Sequence, residues 1–484
     1  MNNLIKNELT KIFKKKSIYI TLFVILGFII LTNCIYKYFY NNSTSYYNDN
    51  YIDYAKQEIS KLDPNNPSDT NTYISLKTEI DVYELAKKYN KDDWQTQIIN
   101  SNVGTYINER NTYLYGEGKD TKKAEEVNKK IEEIIGKLDN NDWKYFANDE
   151  VKKLEENLKA LEEQKNNIED KQELDDLNQS IELAKIDLEA ARYRVDKDIK
   201  YGNDYLNIAL DDYLNNSKTL VSNKKDKKLS FEEQKEYNQS LENKEVSKYI
   251  IENKQDVNKA NDVRGILKNF FDEYGLFIIV LVVMIAGTIV SEEFNKGTIK
   301  LLLVKPYSRN KILFAKFVTV LIITAFAIVS TILMELIVGS IVFGTSSLSI
   351  PVVQYNFNTH ALEHMNIFKY LSLNVLAQLP IVVLLATLAF SFSTLFTNSA
   401  VSIALPLLGY MSASTINVLA VHYNIKFIKY FVTPNWDLSQ YLFGNLPMLE
   451  GMTRNFSIII CLIYFAIMIS TTFTVFKRKN IKNI

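Results

Sequence analysis

The stretch YGLFIIVLVVMIAGTIVS, residues 274 to 291, runs eighteen positions without a charge between Asp272-Glu273 and Glu292-Glu293. A helix of that length approaches the thickness of a bilayer's hydrocarbon core, and this one has no polar face to turn toward water. Reading outward, residues 17–36 and 455–476 are also uncharged, residues 317–343 carry only Glu335, and residues 370–425 extend 56 positions without a charge. That last run has room for two crossings at about 20 residues each. The polar Thr397-Asn398-Ser399 divides it into spans at 371–396 and 400–422. The expected fold class is an all-α polytopic membrane protein with six transmembrane helices and a mostly helical, coiled-coil-like extracytoplasmic domain; a soluble protein is excluded.

The chain has 484 residues, with 56 Lys plus Arg against 56 Asp plus Glu. Residues 37–273 hold 49 acidic and 37 basic side chains, so a net of −12 there faces +12 elsewhere. The first span is expected to be an uncleaved anchor, because Thr32-Asn33-Cys34 leads into Tyr36, Tyr38, Phe39 and Tyr40, an interfacial aromatic belt without a small-residue cleavage site. Residues 1–16 carry five Lys, the 292–316 loop six Lys or Arg, and the 477–484 tail four. The opposite side, apart from the large domain, has only Lys369, Lys426, Lys429 and Arg454. Positively charged short loops stay in the cytoplasm, so both termini are expected inside and residues 37–273 outside. The outer side also takes the 344–369 loop and the 423–454 segment. Cys34 and Cys461 lie in apolar spans and read as lipid-facing or packing residues.

Within the large domain, residues 120–200 lack proline, and apolar positions at 154, 158, 161 and 168, then 174, 177, 181, 184, 188, 191 and 195, alternate spacings of three and four. This is a coiled-coil seam with a phase break between Ile168 and Leu174, which predicts an antiparallel helical hairpin. Flanking stretches 51–115 and 203–272 repeat the pattern more weakly, with a loop at Asp63-Pro64-Asn65-Asn66-Pro67. The many tyrosines are expected to pack a helical bundle. The acidity suits cationic ligands or simply a solvated surface.

The loop after the second span reads SEEFNKGTIKLLLVKPYSR, residues 291 to 309, far more than a bare connection needs. It predicts a short apolar-faced helix over Thr298–Val304, begun after a glycine able to take positive φ and stopped by Pro306. Such a helix at the membrane surface suits docking of another protein. Here the sequence resembles the type-2 ATP-binding-cassette (ABC) permease family, at Glu292, Glu293, Gly297, Thr298, Leu301, Leu302, Pro306, Ser308 and Arg309, with Lys316 at the start of the next span. In that family the loop holds the coupling helix that meets the ATPase. The resemblance extends to Asn2–Lys16, where Leu4, Ile5, Leu9, Ile12 and Phe13 share one face, like the family's amphipathic connecting helix. It extends also to Lys426–Arg454, whose prolines forbid one straight helix, as in re-entrant outer segments. It does not reach residues 37–273.

No Gly-x-x-x-x-Gly-Lys-Ser/Thr loop occurs: five residues before Gly118-Lys119 and Gly136-Lys137 stand Tyr113 and Ile131. The chain is therefore expected to be no enzyme and to carry no cofactor of its own. The resemblance implies a separate ABC ATPase that binds ATP and Mg, a second permease copy as a homodimer, and contact with membrane lipids. It implies export of, or resistance to, an antimicrobial peptide, drug or lipid; cationic peptides are the candidate substrate class, and no nucleic acid is expected. Two other readings stand beside it: an ATPase-driven mechanotransmission or sensing complex, and an uncoupled surface scaffold or receptor.

Two further features call for weighing. His360-Ala-Leu-Glu363-His364 spells H-x-x-E-H, whose zinc chemistry needs both histidines on one helix face; interfacial packing is the expectation. Glu335 is an acid inside a span and so a candidate for transport or gating. It lies about 28 Å along the helix from Lys316, near the outer interface, where a solvated or helix-terminal carboxylate is the simpler expectation.

Overall fold

The computed structural model describes every residue except 42–48, 90–92, 166–167, 224–228, 300–306, 397 and 480–484. In chain order the helices are α1 Asn2–Phe13, α2 Lys16–Asn41, α3 Asp49–Ile59, α4 Thr70–Ala86, α5 Trp94–Ile98, α6 Gly104–Tyr115, α7 Thr121–Asp139, α8 Trp143–Gln164, α9 Lys171–Asp196, α10 Tyr205–Ser222, α11 Phe231–Asn253, α12 Val263–Lys268, α13 Phe270–Thr288, α14 Ser291–Asn295, α15 Arg309–Phe343, α16 Ile367–Leu395, α17 Ser399–His422 and α18 Arg454–Arg478. Contacts divide the chain into two units, Met1–Asn42 with Val257–Ile484, and Ser43–Asp256. The sequence had set the polar domain at 37–273; both ends of that range pack with the first unit instead.

Six helices of the first unit are long and apolar enough to cross a membrane: α2, α13 with its short continuation α14, α15, α16, α17 and α18. The chain is an all-α polytopic membrane protein. The central helix is α13, which packs against α15, α16 and α17, while α2 lies along α15 and α18 along α16. Ile278, Val283 and Ala286 of α13 and Phe390 of α16 have no exposed surface. Pro380 and Pro406 sit inside α16 and α17. At one end of this unit lie α1, α14 and the end of α18.

The opposite end carries the chain's one described sheet, an antiparallel hairpin of β1 Val352–Asn356 and β2 Ala361–Met365. Beside it the 423–454 segment forms only short 3₁₀ turns, at Lys426–Tyr430 and Leu438–Gly444. The fully buried Asn435 holds this segment, donating from Nδ2 to the Lys429 and Phe431 carbonyls at 2.6 Å and accepting from Ser457 Oγ of α18 at 2.7 Å. Cys461 donates its thiol to the Asn435 carbonyl at 3.3 Å. The Phe357 amide donates to the Phe443 carbonyl at 2.8 Å, which ties the turns to the hairpin.

The second unit, Ser43–Asp256, is a helical bundle. Its core, including Trp94, Ile99, Val103, Ile131, Leu138 and Phe146, forms where α4 to α8 meet. The helices α8 and α9 run antiparallel, with Arg192 bonded to Glu155 at 2.7 Å and Lys185 to Glu162 at 3.2 Å. The turn between them ends where Asp170 caps α9 by accepting from the Gln172 amide at 2.7 Å, within the expected phase break. Asp63 Oδ1 accepts from the Asn65 amide at 2.9 Å in the proline-rich loop between α3 and α4. Tyrosines pack as well as face water: Tyr213 is buried edge-on to Tyr193 at 5.4 Å. Tyr201 lies under the Arg194 guanidinium and donates to Glu150 at 2.9 Å. Burial first, and then the Glu150 carboxylate, push its phenol well above the ordinary tyrosine range.

Candidate functional site

The segment after α13 is built to be held from several sides. At the end of α13 the chain turns, and the Val290 and Ser291 amides, which a continuing helix would have paired internally but the break before α14 does not, both donate to Ser393 Oγ of α16 at 3.1 and 2.9 Å. The Ser291 and Ser399 hydroxyls meet at 2.8 Å, joining the same turn to α17. Gly297 then takes φ +66°, a left-handed conformation that glycine adopts without a Cβ penalty, and Thr298 Oγ1 donates back to the Glu293 carbonyl at 3.4 Å. Of the helix expected over Thr298–Val304, residues 300–304 lie outside the described residues, and with them Leu301, Leu302 and the stop at Pro306.

The two acids opening this segment are bound to the N-terminal segment, Glu293 to α1 and Glu292 to the junction between α1 and α2. Lys316 of α15, 1% exposed, places Nζ 2.7 Å from Glu8 Oε2 of α1 and 2.8 Å from Glu293 Oε1 of α14, and it also donates to the Ile289 carbonyl at 3.1 Å. Lys11 reaches the same two acids at 2.7 and 3.2 Å. Beside them Glu292 pairs with Lys15 and, at 2.6 Å, with Lys296. A buried lysine is tolerable here because two carboxylates and a carbonyl take its three protons. Burial alone would raise the Glu8 carboxyl, but Lys316 and Lys11 together hold it below the usual glutamate range.

Ser308 and Arg309, at the other end of the loop, do not join this cluster. Ser308 Oγ caps α15 by accepting from the Lys311 amide at 3.4 Å. Arg309 donates to the Lys477 and Lys479 carbonyls at 3.2 and 3.0 Å, satisfying the open end of α18. Lys479 in turn donates to the Thr394 and Leu395 carbonyls that end α16, and it stands 4.5 Å from the centre of the Phe294 ring. A cavity of about 350 Å³ opens beside the cluster, with Lys15, Thr21, Glu292 and Ser399 on its polar wall and Ile18 and Leu281 on its apolar one.

Glu335 lies near the other end of α15 and is not solvated. The sequence favoured a solvated or helix-terminal carboxylate there, whereas the side chain has no exposed surface. Counting residues along one helix gives depth but not the neighbours that cover a position. Tyr274 of α13 donates to Glu335 Oε2 at 2.5 Å, and Asn33 of α2 donates to the same oxygen at 3.0 Å. Next to them Tyr36 donates to Glu273 at 2.5 Å.

The H-x-x-E-H spelling falls on the hairpin and not on a helix. His360 occupies the turn with φ +52°, His364 pairs with Val353 across the strands, and Glu363 accepts from Asn356 at 2.5 Å. The one-face geometry that zinc chemistry requires is therefore missing. Among the described residues no group of three or more His, Cys, Asp or Glu is placed to hold a metal ion.

Sequence reasoning missed Glu8, Asn33 and Tyr274. Glu8 is the sole acid in residues 1–16, and Asn33 is the sole amide in an apolar span, signals that an isolated polar residue on an apolar helix face provides.

Comparison with known proteins finds relatives that match part of this chain. The chain is 31% identical over 215 residues to the uncharacterized protein YhcI of Bacillus subtilis (strain 168), covering 44% of this chain and 67% of that one. It is 30% identical over 202 residues to the uncharacterized membrane protein YdbK of the same organism, covering 42% of this chain and 77% of the relative. No solved structure matches the chain. The family described as "Protein of unknown function (DUF2705)" matches residues 234–482, more than half of the sequence and all of α12 to α18, and the chain belongs to that family.

Proposed function

We propose that this chain is the permease subunit of a type-2 ABC exporter, driven by a separate ATPase that docks on the 292–309 loop from the cytoplasm. In this reading both termini are cytoplasmic, Ser43–Asp256 is extracytoplasmic, and a second copy completes the transport path. The observation that carries the reading is the position of Lys316. One buried cation at the start of α15 grips both Glu293, which opens the loop, and Glu8 of the amphipathic helix. A push on the loop would be passed to α15 and α1 together instead of being absorbed by a free connection. The loop's sequence resemblance and the charge bias of the short loops support the same assignment.

The test is to purify the full chain with the ATPase that assembles on it, reconstitute both in nanodiscs, and measure ATP hydrolysis across a panel of cationic peptides, drugs and lipids. Stimulation by one class, lost on changing Leu301 and Leu302 to Asp, is the expected result. If no ATPase assembles with the chain, the reading fails and an uncoupled scaffold takes its place. The size of the separate Ser43–Asp256 unit favours one other reading, ATPase-driven sensing through that unit. Replacing the unit with a flexible linker separates the two: an exporter that keeps basal transport but loses its response uses the unit as a sensor.

A further inference from the structure

The carboxyl of Glu335 is closed in by three helices, and its two oxygens are treated differently. Oε2 receives both donors, the Tyr274 hydroxyl at 2.5 Å and the Asn33 amide at 3.0 Å, while Oε1 receives none. Glu335, Tyr274 and Asn33 are each 0% exposed. Asn33 Nδ2 is also engaged by the Ile29 carbonyl at 2.8 Å, and Asn33 Oδ1, like Glu335 Oε1, has no donor. Two buried acceptor oxygens are thus left without a hydrogen. An ionised carboxylate in this position would keep one oxygen bare in an apolar surround, which is far costlier than a neutral acid. The neutral acid matches the pattern: a carbonyl oxygen accepts two bonds, and the hydroxyl oxygen needs no donor because it is one.

Space decides between a proton and a larger cation. Gly339 lies one turn further along α15, and a Cβ there would fall 2.7 Å from Oε1 and 2.8 Å from Val263 Cγ2 of α12. The Gly339 backbone borders the bare oxygen, and among the described residues no group of three or more His, Cys, Asp or Glu is placed to hold a metal ion here. Ionisable groups on the neighbouring elements bond elsewhere. On α2, Tyr36 is bonded to Glu273 of α13, and Lys37 donates to the Val342 carbonyl of α15 at 2.8 Å. From α12, Arg264 donates to the Val257 carbonyl at 2.9 Å.

We propose that Glu335 is a proton-binding site, holding the proton on Oε1 while α2, α13 and α15 are packed together and releasing it when they part and water enters. The site makes the packing of these helices responsive to proton concentration, with Glu273, the residue before Tyr274, as the adjoining carboxylate. This inference stands on the three helices alone and does not depend on an ATPase partner.

Infrared spectroscopy of the full chain in lipid nanodiscs tests it. At neutral pH the wild-type protein should show the C=O stretch of a protonated carboxyl that shifts in deuterium oxide and is missing from Glu335→Gln. Raising the pH should convert this band to carboxylate bands in one step. Tyr274→Phe, which removes a donor from the carbonyl oxygen, should move the band to higher frequency, and this holds as a readout even if Glu335→Gln fails to fold. A neutral-pH spectrum without that band would overturn the proposal, as would one whose carboxylate bands respond to exchanging sodium for potassium. A protonated band that Tyr274→Phe leaves unmoved would place the proton on another acid and also overturn it.

Discussion

Lys316 Nζ lies 2.7 Å from Glu8 Oε2, joining side chains 308 positions apart in the sequence and fixing α1 to α15. With Glu293 on its other side, the lysine is the shared cation of two helices and a loop.

Lys316→Met should therefore take the buried cation from two carboxylates and leave them to share the half-exposed Lys11. Breaking a buried pair from one side costs about 3–5 kcal/mol, so the unfolding temperature of the full chain in detergent should fall. Adding Glu8→Gln to Lys316→Met should recover part of the loss, because one uncompensated charge goes with it. Additive losses in the double variant would refute the coupling.

The same site has an acid limb. The Glu8 carboxyl is held below its unfolded value, burial opposing the shift and Lys316 leading the groups that produce it. A depressed folded pKa gives stability that is fully present above the unfolded value, about 4.3 for a glutamate, and is lost as pH falls through the folded one. Wild type should lose stability as pH is lowered from about 4.3. Glu8→Gln should begin less stable at neutral pH and show a shallower acid limb in thermal unfolding.

How much of this was legible in the sequence depends on whether a feature is local. Spans and the helical hairpin were, since both are periodic patterns within one stretch: the uncharged run at 274–291 became α13, and the phase break after Ile168 became the turn before α9. Glu292 and Glu293 were legible as loop residues, but their pairing with Lys15, Lys11 and Lys316 was not, because pairing across helices leaves no mark in spacing. Glu335 shows the same limit more sharply. Its depth along α15 was read correctly as far from Lys316, yet only the approach of Asn33 and Tyr274 from two other helices makes it buried. The hairpin at 352–365 was read as a plain loop, because its five-residue strands are too short for alternation to stand out.

In the Ser43–Asp256 unit, Asn207 should matter more than its place in a polar sequence suggests. It is 4% exposed, accepts from Arg194 at 2.8 Å and donates to the Lys200 carbonyl at 2.9 Å, closing the connection between α9 and α10. Asn207→Ala removes the donor to the Lys200 carbonyl and leaves the Arg194 guanidinium only the Ile199 carbonyl at 3.4 Å and the Tyr201 ring, a loss of about 1–2 kcal/mol. Hydrogen exchange should accelerate in the amides of α9 and α10 that flank the turn, with α16 and α18 unaffected.

Gly339→Ala tests the close approach around Glu335. The added methyl would need both the carboxyl and Val263 to move, and overpacking of this kind costs about 1–3 kcal/mol. The full chain should unfold at lower temperature, whereas Gly118→Ala, at a position with open space, should not. Equal stability of the two variants would mean that α12 and α15 can part without cost.

The pair of Lys15 and Glu292 separates stability from coupling. Both side chains are about a third exposed, so the pair contributes about 1 kcal/mol or less to folding, and Lys15→Glu or Glu292→Lys alone should leave the unfolding temperature nearly unchanged. In the proposed exporter the same pair links the amphipathic helix to the base of the docking loop, so each single change should uncouple ATP hydrolysis from substrate. Restoring the pair in reverse, with Lys15→Glu and Glu292→Lys together, should return substrate-stimulated hydrolysis toward wild type, although Lys296 then faces a lysine where it had its acid. If the singles leave stimulation intact, the two charges are only surface partners. If the singles abolish it and the reversed pair does not restore it, Glu292 acts on the ATPase directly rather than through α1.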